Sequence, residues 1–178
     1  AVGPNATLIM LGRSNSASGV SFGLLNVTAA SAGSLCVSGV SNTGLGLNVA
    51  NGAVRVNMAG NLTLNSSSSL QLGNIAARNL WVDTDADADL TVNGSIVTSG
   101  LTRLSAENMS LGSAGRIDAG ETVSLLADTN LSMTAGSCVT SMLDASLNAG
   151  YATVAGLIGS RAGNATLSTA NLMVAAGG

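Results

Sequence analysis

Apolar and polar residues alternate in short runs along most of this chain, and the runs recur about every 21 residues. Six consecutive units begin near Gly60-Asn61-Leu62-Thr63-Leu64, Leu80-Trp81-Val82, Leu101-Thr102-Arg103-Leu104, Thr122-Val123-Ser124-Leu125, Ala145-Ser146-Leu147 and Ala165-Thr166-Leu167. Each is followed by an apolar pair: Leu70/Leu72, Leu90/Val92, Met109/Leu111, Leu131/Met133, Ala152/Val154 and Leu172/Val174. A third apolar position follows at Ile75, Ile96, Ile117, Cys138 and Ile158, in steps of 21, 21, 21 and 20 residues. Upstream the pattern loosens. There Leu35/Val37 and Val54/Val56 fill the pair position, and Leu25/Val27 and Leu47/Val49 the strand before it.

Within each run the period is two, which places the apolar residues on one face of a strand and Ser, Thr or Asn on the other. Gly, Asn, Asp and Ser punctuate the runs and supply turns. The predicted strands are three to five residues long, and no helical stripe competes with them. A unit of this size cannot bury its apolar face alone, so units must stack. The pattern predicts an all-β fold, a parallel β-helix (β-solenoid) with coils of about 21 residues and two or three strands per coil. With strands about 4.8 Å apart, some eight coils would make a rod on the order of 40 Å long. A β-sandwich accounts for the alternation but not for the constant period. Residues 1–178 read as one domain, in which 1–23 form a less regular first coil or an intersubunit strand and 24–178 form the repeat coils.

Composition sharpens this. Hydrophobic residues make up 46% of the 178 residues, while aromatic residues make up only 2%. A narrow interior of stacked Leu, Val, Ile and Ala has little room for rings. The chain has six arginines, no lysine, no histidine and a net charge of −3. Nucleic-acid binding, which requires clustered cations to neutralise phosphates, is not expected. No run of about 20 apolar residues is present, so membrane insertion is not expected either. The start at Ala1-Val2-Gly3-Pro4 shows no signal-peptide pattern. Both ends lack an amphipathic cap, which suggests either an excerpt of a longer chain or a subunit that polymerises.

Candidate chemistry is sparse. Asp83, Asp85, Asp87 and Asp89 hold four of the nine acidic residues, and in an extended segment they would point to one side. Hard oxygen ligands of that kind suit calcium. The segment lacks the glycine and the bidentate glutamate of an EF-hand loop, and a charged turn that blocks lateral strand pairing explains it as well. No catalytic constellation is found: there is no histidine for acid–base work and no nucleophile elbow. Cys36 and Cys138 lie about five coils apart, roughly 24 Å on a linear rod, too far for a disulfide. Cys138 falls on the third apolar position and reads as a small core residue. Asn-x-Ser/Thr sequons occur at Asn5, Asn26, Asn61, Asn65, Asn93, Asn108, Asn130 and Asn164, where outward alternation already calls for small polar residues. The arginines, among them Arg78, Arg103 and Arg116, read as solvated surface.

Gly60-Asn61-Leu62-Thr63-Leu64-Asn65 followed by Leu70-Gln71-Leu72-Gly73-Asn74-Ile75 resembles the repeats of the filamentous haemagglutinin family of two-partner-secreted exoproteins. Gly120-Glu121-Thr122-Val123-Ser124-Leu125 with Leu131-Ser132-Met133-Thr134-Ala135-Gly136 does so too. The resemblance covers residues 24–178, and it implies a right-handed parallel β-helix shaft on a bacterial cell surface. The only proline is Pro4, so the Asn-Pro-Asn motifs of that family's secretion domain are missing. The resemblance implies shaft and not secretion module. The expected function is therefore non-enzymatic, extracellular and structural or adhesive, with a host receptor or glycan as partner. The alternative is a filament subunit that associates end to end through open β edges or a donated strand from residues 1–11.

Overall fold

The protein is described by a computed structural model over residues 5–10, 14–18, 24–29, 33–38, 44–49, 52–57, 61–66 and 69–175, with side chains described for 61–66 and 69–175. Its elements are all strands. They run β1 (Asn5–Met10), β2 (Ser14–Ser18), β3 (Leu24–Ala29), β4 (Gly33–Ser38), β5 (Gly44–Val49), β6 (Gly52–Asn57), β7 (Asn61–Ser66), β8 (Leu70–Ala77) and β9 (Leu80–Thr84). They continue as β10 (Asp89–Val92), β11 (Ser95–Thr98), β12 (Thr102–Leu111), β13 (Arg116–Ala119), β14 (Val123–Met133), β15 (Cys138–Ser141), β16 (Ala145–Val154), β17 (Leu157–Ser160) and β18 (Ala165–Val174).

Every pairing among the described residues is parallel and joins strands of neighbouring coils, so the fold is a β-solenoid, with about five stacked coils of about 21 residues and shorter coils upstream of them. From Asn61 on, each coil gives three segments to three ladders, whereas upstream β1 to β6 supply two strands per coil. The first ladder carries the inward pairs Leu62/Leu64, Leu80/Val82, Thr102/Leu104, Val123/Leu125, Ala145/Leu147 and Ala165/Leu167 in register. The second carries Leu70/Leu72, Leu90/Val92, Met109/Leu111, Leu131/Met133, Ala152/Val154 and Leu172/Val174. The third stacks Ile75, Ile96, Ile117, Val139 and Ile158. From Leu62 to Val154 the apolar members form one continuous core, against which Ile158 and Leu167 pack in part, while Thr102 is a buried polar member and Ala165, Leu172 and Val174 are exposed; none of the buried core residues is aromatic. Each fully buried Leu or Ile side chain contributes about 1.5–3 kcal/mol relative to exposure.

Eleven of the 18 described strands exceed the expected three to five residues, while β2, β9, β10, β11, β13, β15 and β17 keep to them. β14 has 11 because it turns the corner from the first ladder into the second without stopping. The register shifts at that corner, between Ala106 and Asn108 in one coil and between Ala127 and Asn130 in the next. Only small side chains point inward there: Ala106, Ala127 and Ala149 are all buried. The turns stack as well as the strands. Asn93, Gly112, Thr134, Ala155 and Ala175 each donate the backbone N–H to the coil before, at 2.8–3.1 Å. The polar residues buried at the third corner are satisfied locally. Thr98 and Thr102 share a hydroxyl–hydroxyl bond of 2.9 Å, and Ser141 donates to the Leu143 carbonyl at 3.0 Å.

Three expected registers are corrected. The third position of its coil is held by Val139, which is fully buried, while Cys138 pairs with Arg116 and Leu157 and is only half-buried. Upstream, Leu25/Val27 align with Leu45/Leu47, not with Leu47/Val49. Leu35 and Val54 align with Leu72, and Val56 aligns with Ile75, so those pairs straddle the second and third ladders. Asn5, Leu24, Gly44 and Asn61 are successive partners in steps of 19, 20 and 17 residues, shorter than the downstream period. β1 pairs in parallel with β3 of its own chain, as a rung of the first ladder.

Candidate functional site

The acidic segment does not run extended. Asp83 sits on the outward side of β9, Asp85 to Ala88 form a tight turn, and Asp89 opens β10. The Ala88 N–H donates to the Asp85 carbonyl at 3.1 Å, and Asp87 adopts φ 71°, a left-handed conformation that Asp tolerates better than most residues. The turn spreads the four carboxylates, which are all exposed. Among the described residues no three acidic, cysteine or histidine side chains gather as a metal site. The single-sided array expected for Asp83, Asp85, Asp87 and Asp89 is therefore not formed, and a turn is the reason.

Outward side chains of the second ladder bond along the rod. Asn108 donates to Asp89 at 2.9 Å, Asn130 donates to Asn108 at 2.7 Å, and the Ser110 hydroxyl donates to Thr91 at 3.1 Å. Other corners behave alike. Asn79 donates to Asn61 at 2.9 Å and accepts the Leu101 N–H at 2.8 Å, while Thr140 donates to Asp118 at 3.0 Å. Several sequon asparagines (Asn61, Asn108, Asn130) thus serve as rungs of amide ladders. Cys138 is a free thiol; the side chain of Cys36 lies outside the described residues.

One outward patch gathers unpartnered polar groups around an aromatic. On the first ladder Trp81 is the register partner of Thr63 on one side and of Arg103 on the other. Two residues along the same strand, Asp83 is flanked by Asn65 and Ser105. The six positions form a two-by-three block over three consecutive coils. Asn65, Trp81, Asp83, Arg103 and Ser105 line a depression of about 200 Å³. Asn65, Asp83 and Arg103 are exposed and Trp81 is half-buried. None of their side-chain polar groups makes a hydrogen bond or ion pair among the described residues, where the one ion pair is Arg116–Asp118 at 3.7 Å. Sequence reasoning took Arg103 as isolated surface. The signal that would have found the patch is the repeat itself: a step of one coil from Trp81 lands on Arg103.

The fold defines the chain as a parallel β-solenoid. No protein family, curated protein or solved structure matches it. Among the described residues no helix is long and apolar enough to cross a membrane.

Proposed function

We propose that this chain is a non-enzymatic shaft segment of a bacterial surface adhesin, a rigid extracellular spine that holds binding surfaces away from the cell. The observation that carries the proposal is the unbroken stacking of all three ladders. Among the described residues the inward positions from Leu62 to Val154 are apolar on coil after coil with Thr102 as an exception, the turns bond to their equivalents in the coil before, and no long insertion rises to wall a substrate cleft. A fold spent on regular stacking supplies length and stiffness. The likeness of the repeats to filamentous haemagglutinin shafts points the same way. Antibody against the chain, applied to intact source cells, tests the location. Labelling before lysis is expected, and labelling only after lysis would remove the extracellular reading.

A second reading, a filament subunit, is favoured by the outer edge of β18. Leu172, Met173 and Val174 there are 53%, 60% and 73% exposed, and no strand pairs with that edge among the described residues. Parallel strand addition by a further copy would bury them. Negative-stain electron microscopy of the purified 178-residue chain separates the two: long uniform fibres support the filament, and short monodisperse rods the shaft.

A further inference from the structure

We infer that the block of Asn65, Trp81, Asp83 and Arg103 is a binding site for one neutral sugar ring of a glycan. The inference deepens the adhesive part of the proposed function, and it takes only the presence of glycans from that reading. Three properties of the block carry it. The first is shape: about 200 Å³ is small for a ligand pocket and suits one ring lying on a sheet surface. The second is the aromatic. Trp81 is the chain's single tryptophan, and it stands on an outward strand position where its register neighbours are Thr63 and Arg103. A half-buried indole that lines the depression offers an apolar platform for the C–H side of a pyranose.

The third is the free polar equipment. Some outward amides and carboxylates elsewhere bond along the rod, as in Asp89–Asn108–Asn130 and Asp118–Thr140, and others such as Gln71 and Asp128 stand singly; among the described residues, only at this block do an unpartnered anion, cation and amide meet around an aromatic in a depression. At this block the Asp83 carboxylate, the Asn65 amide and the Arg103 guanidinium stay without partners among the described residues. One acceptor anion and one donor cation set diagonally across the block leave the depression with no net charge. That pairing disfavours an ionic ligand and fits adjacent hydroxyls, one donating to Asp83 and one accepting from Arg103. The strand geometry sets the spacing: about 4.8 Å between coils and roughly 6.6 Å between Trp81 and Asp83 along the strand, so both lie within reach of a single ring.

Because Trp81 is the only tryptophan, its emission reports the site directly. The purified chain is titrated with the methyl glycosides of glucose, galactose, mannose and N-acetylglucosamine, and with glucuronic acid as the charged comparison. At least one neutral glycoside is expected to shift the emission saturably, with half-saturation on the order of millimolar. Asp83→Asn and Arg103→Gln should each weaken that response at least about tenfold, as loss of a charge-assisted hydrogen bond implies, while Asp128→Asn leaves it unchanged. Far-UV circular dichroism confirms that these exposed-position variants keep the fold. No response to any of the four neutral glycosides overturns the inference. So does a response untouched by both site variants, or a response to glucuronic acid alone. A failed titration would not change what microscopy or surface labelling shows of the shaft, so the sugar site and the shaft fail separately.

Discussion

Asn108 donates its side-chain amide to the Asp89 carboxylate at 2.9 Å, and the two residues are register partners on adjacent coils. Asn130 repeats the bond one coil further on, at 2.7 Å to Asn108. The amide ladder ties coils together from outside while the apolar ladder ties them from inside. Asn108→Ala removes two of these bonds and should cost about 1–2 kcal/mol. Asn108→Asp should cost more, because it adds a second carboxylate beside Asp89, and added salt should recover part of the loss. Urea unfolding of the two variants at low and high salt checks both statements.

The third ladder gives a sharper contrast. Ile117→Ala opens a cavity at a fully buried position and should cost about 2–5 kcal/mol. Cys138→Ser, half-buried and in register with Arg116, should stay within about 0.5 kcal/mol. A large loss for the serine variant would mean that Cys138 and not Val139 fills the core.

Stacked backbones leave no room for a side chain at some glycines. A Cβ at Gly120 would lie 2.2 Å from the Ser99 carbonyl oxygen in the coil before, whereas one at Gly159 would meet nothing within 4 Å. Gly120→Ala should therefore destabilise by about 1–3 kcal/mol, and Gly159→Ala should be neutral or slightly stabilising. Thermal unfolding of the two variants is the comparison to make.

Asp87 holds a left-handed backbone at φ 71° that glycine adopts without strain. Asp87→Gly should raise stability by up to about 1 kcal/mol, since it relieves that strain. A calcium titration of both forms, followed by melting temperature, reads out any metal contribution of the turn at the same time.

How much of this could be read from the residues depends on what alternation can encode. The inward pairs from Leu62 to Val174 were legible because each face repeats every second residue and each coil about every 21. Alternation is blind to a slip of two, however. Leu45, Leu47 and Val49 follow one another at a spacing of two in the sequence, so nothing local says which two of them match Leu62 and Leu64. It is also weak where two apolar residues are adjacent. Cys138 and Val139 could each take the third position, and the coil-to-coil hydrogen bonds of the turn decide it. The aspartate segment kept a period of two in sequence, yet one left-handed residue broke it. The Trp81 patch was hidden for a different cause: the period was applied to inward residues and not to the outward ones that ride with them.

The parallel pairing of coil upon coil has a mechanical side. Interstrand hydrogen bonds run along the rod, so tension between its ends loads them rung by rung. Each rung that lets go gives up about 4.8 Å of rod and frees some 21 residues of chain, roughly 70 Å when extended. Under pull the spine would pay out as a tether, lengthening in steps more than ten times the height of the coil it gives up, while the coils still wound keep their shape.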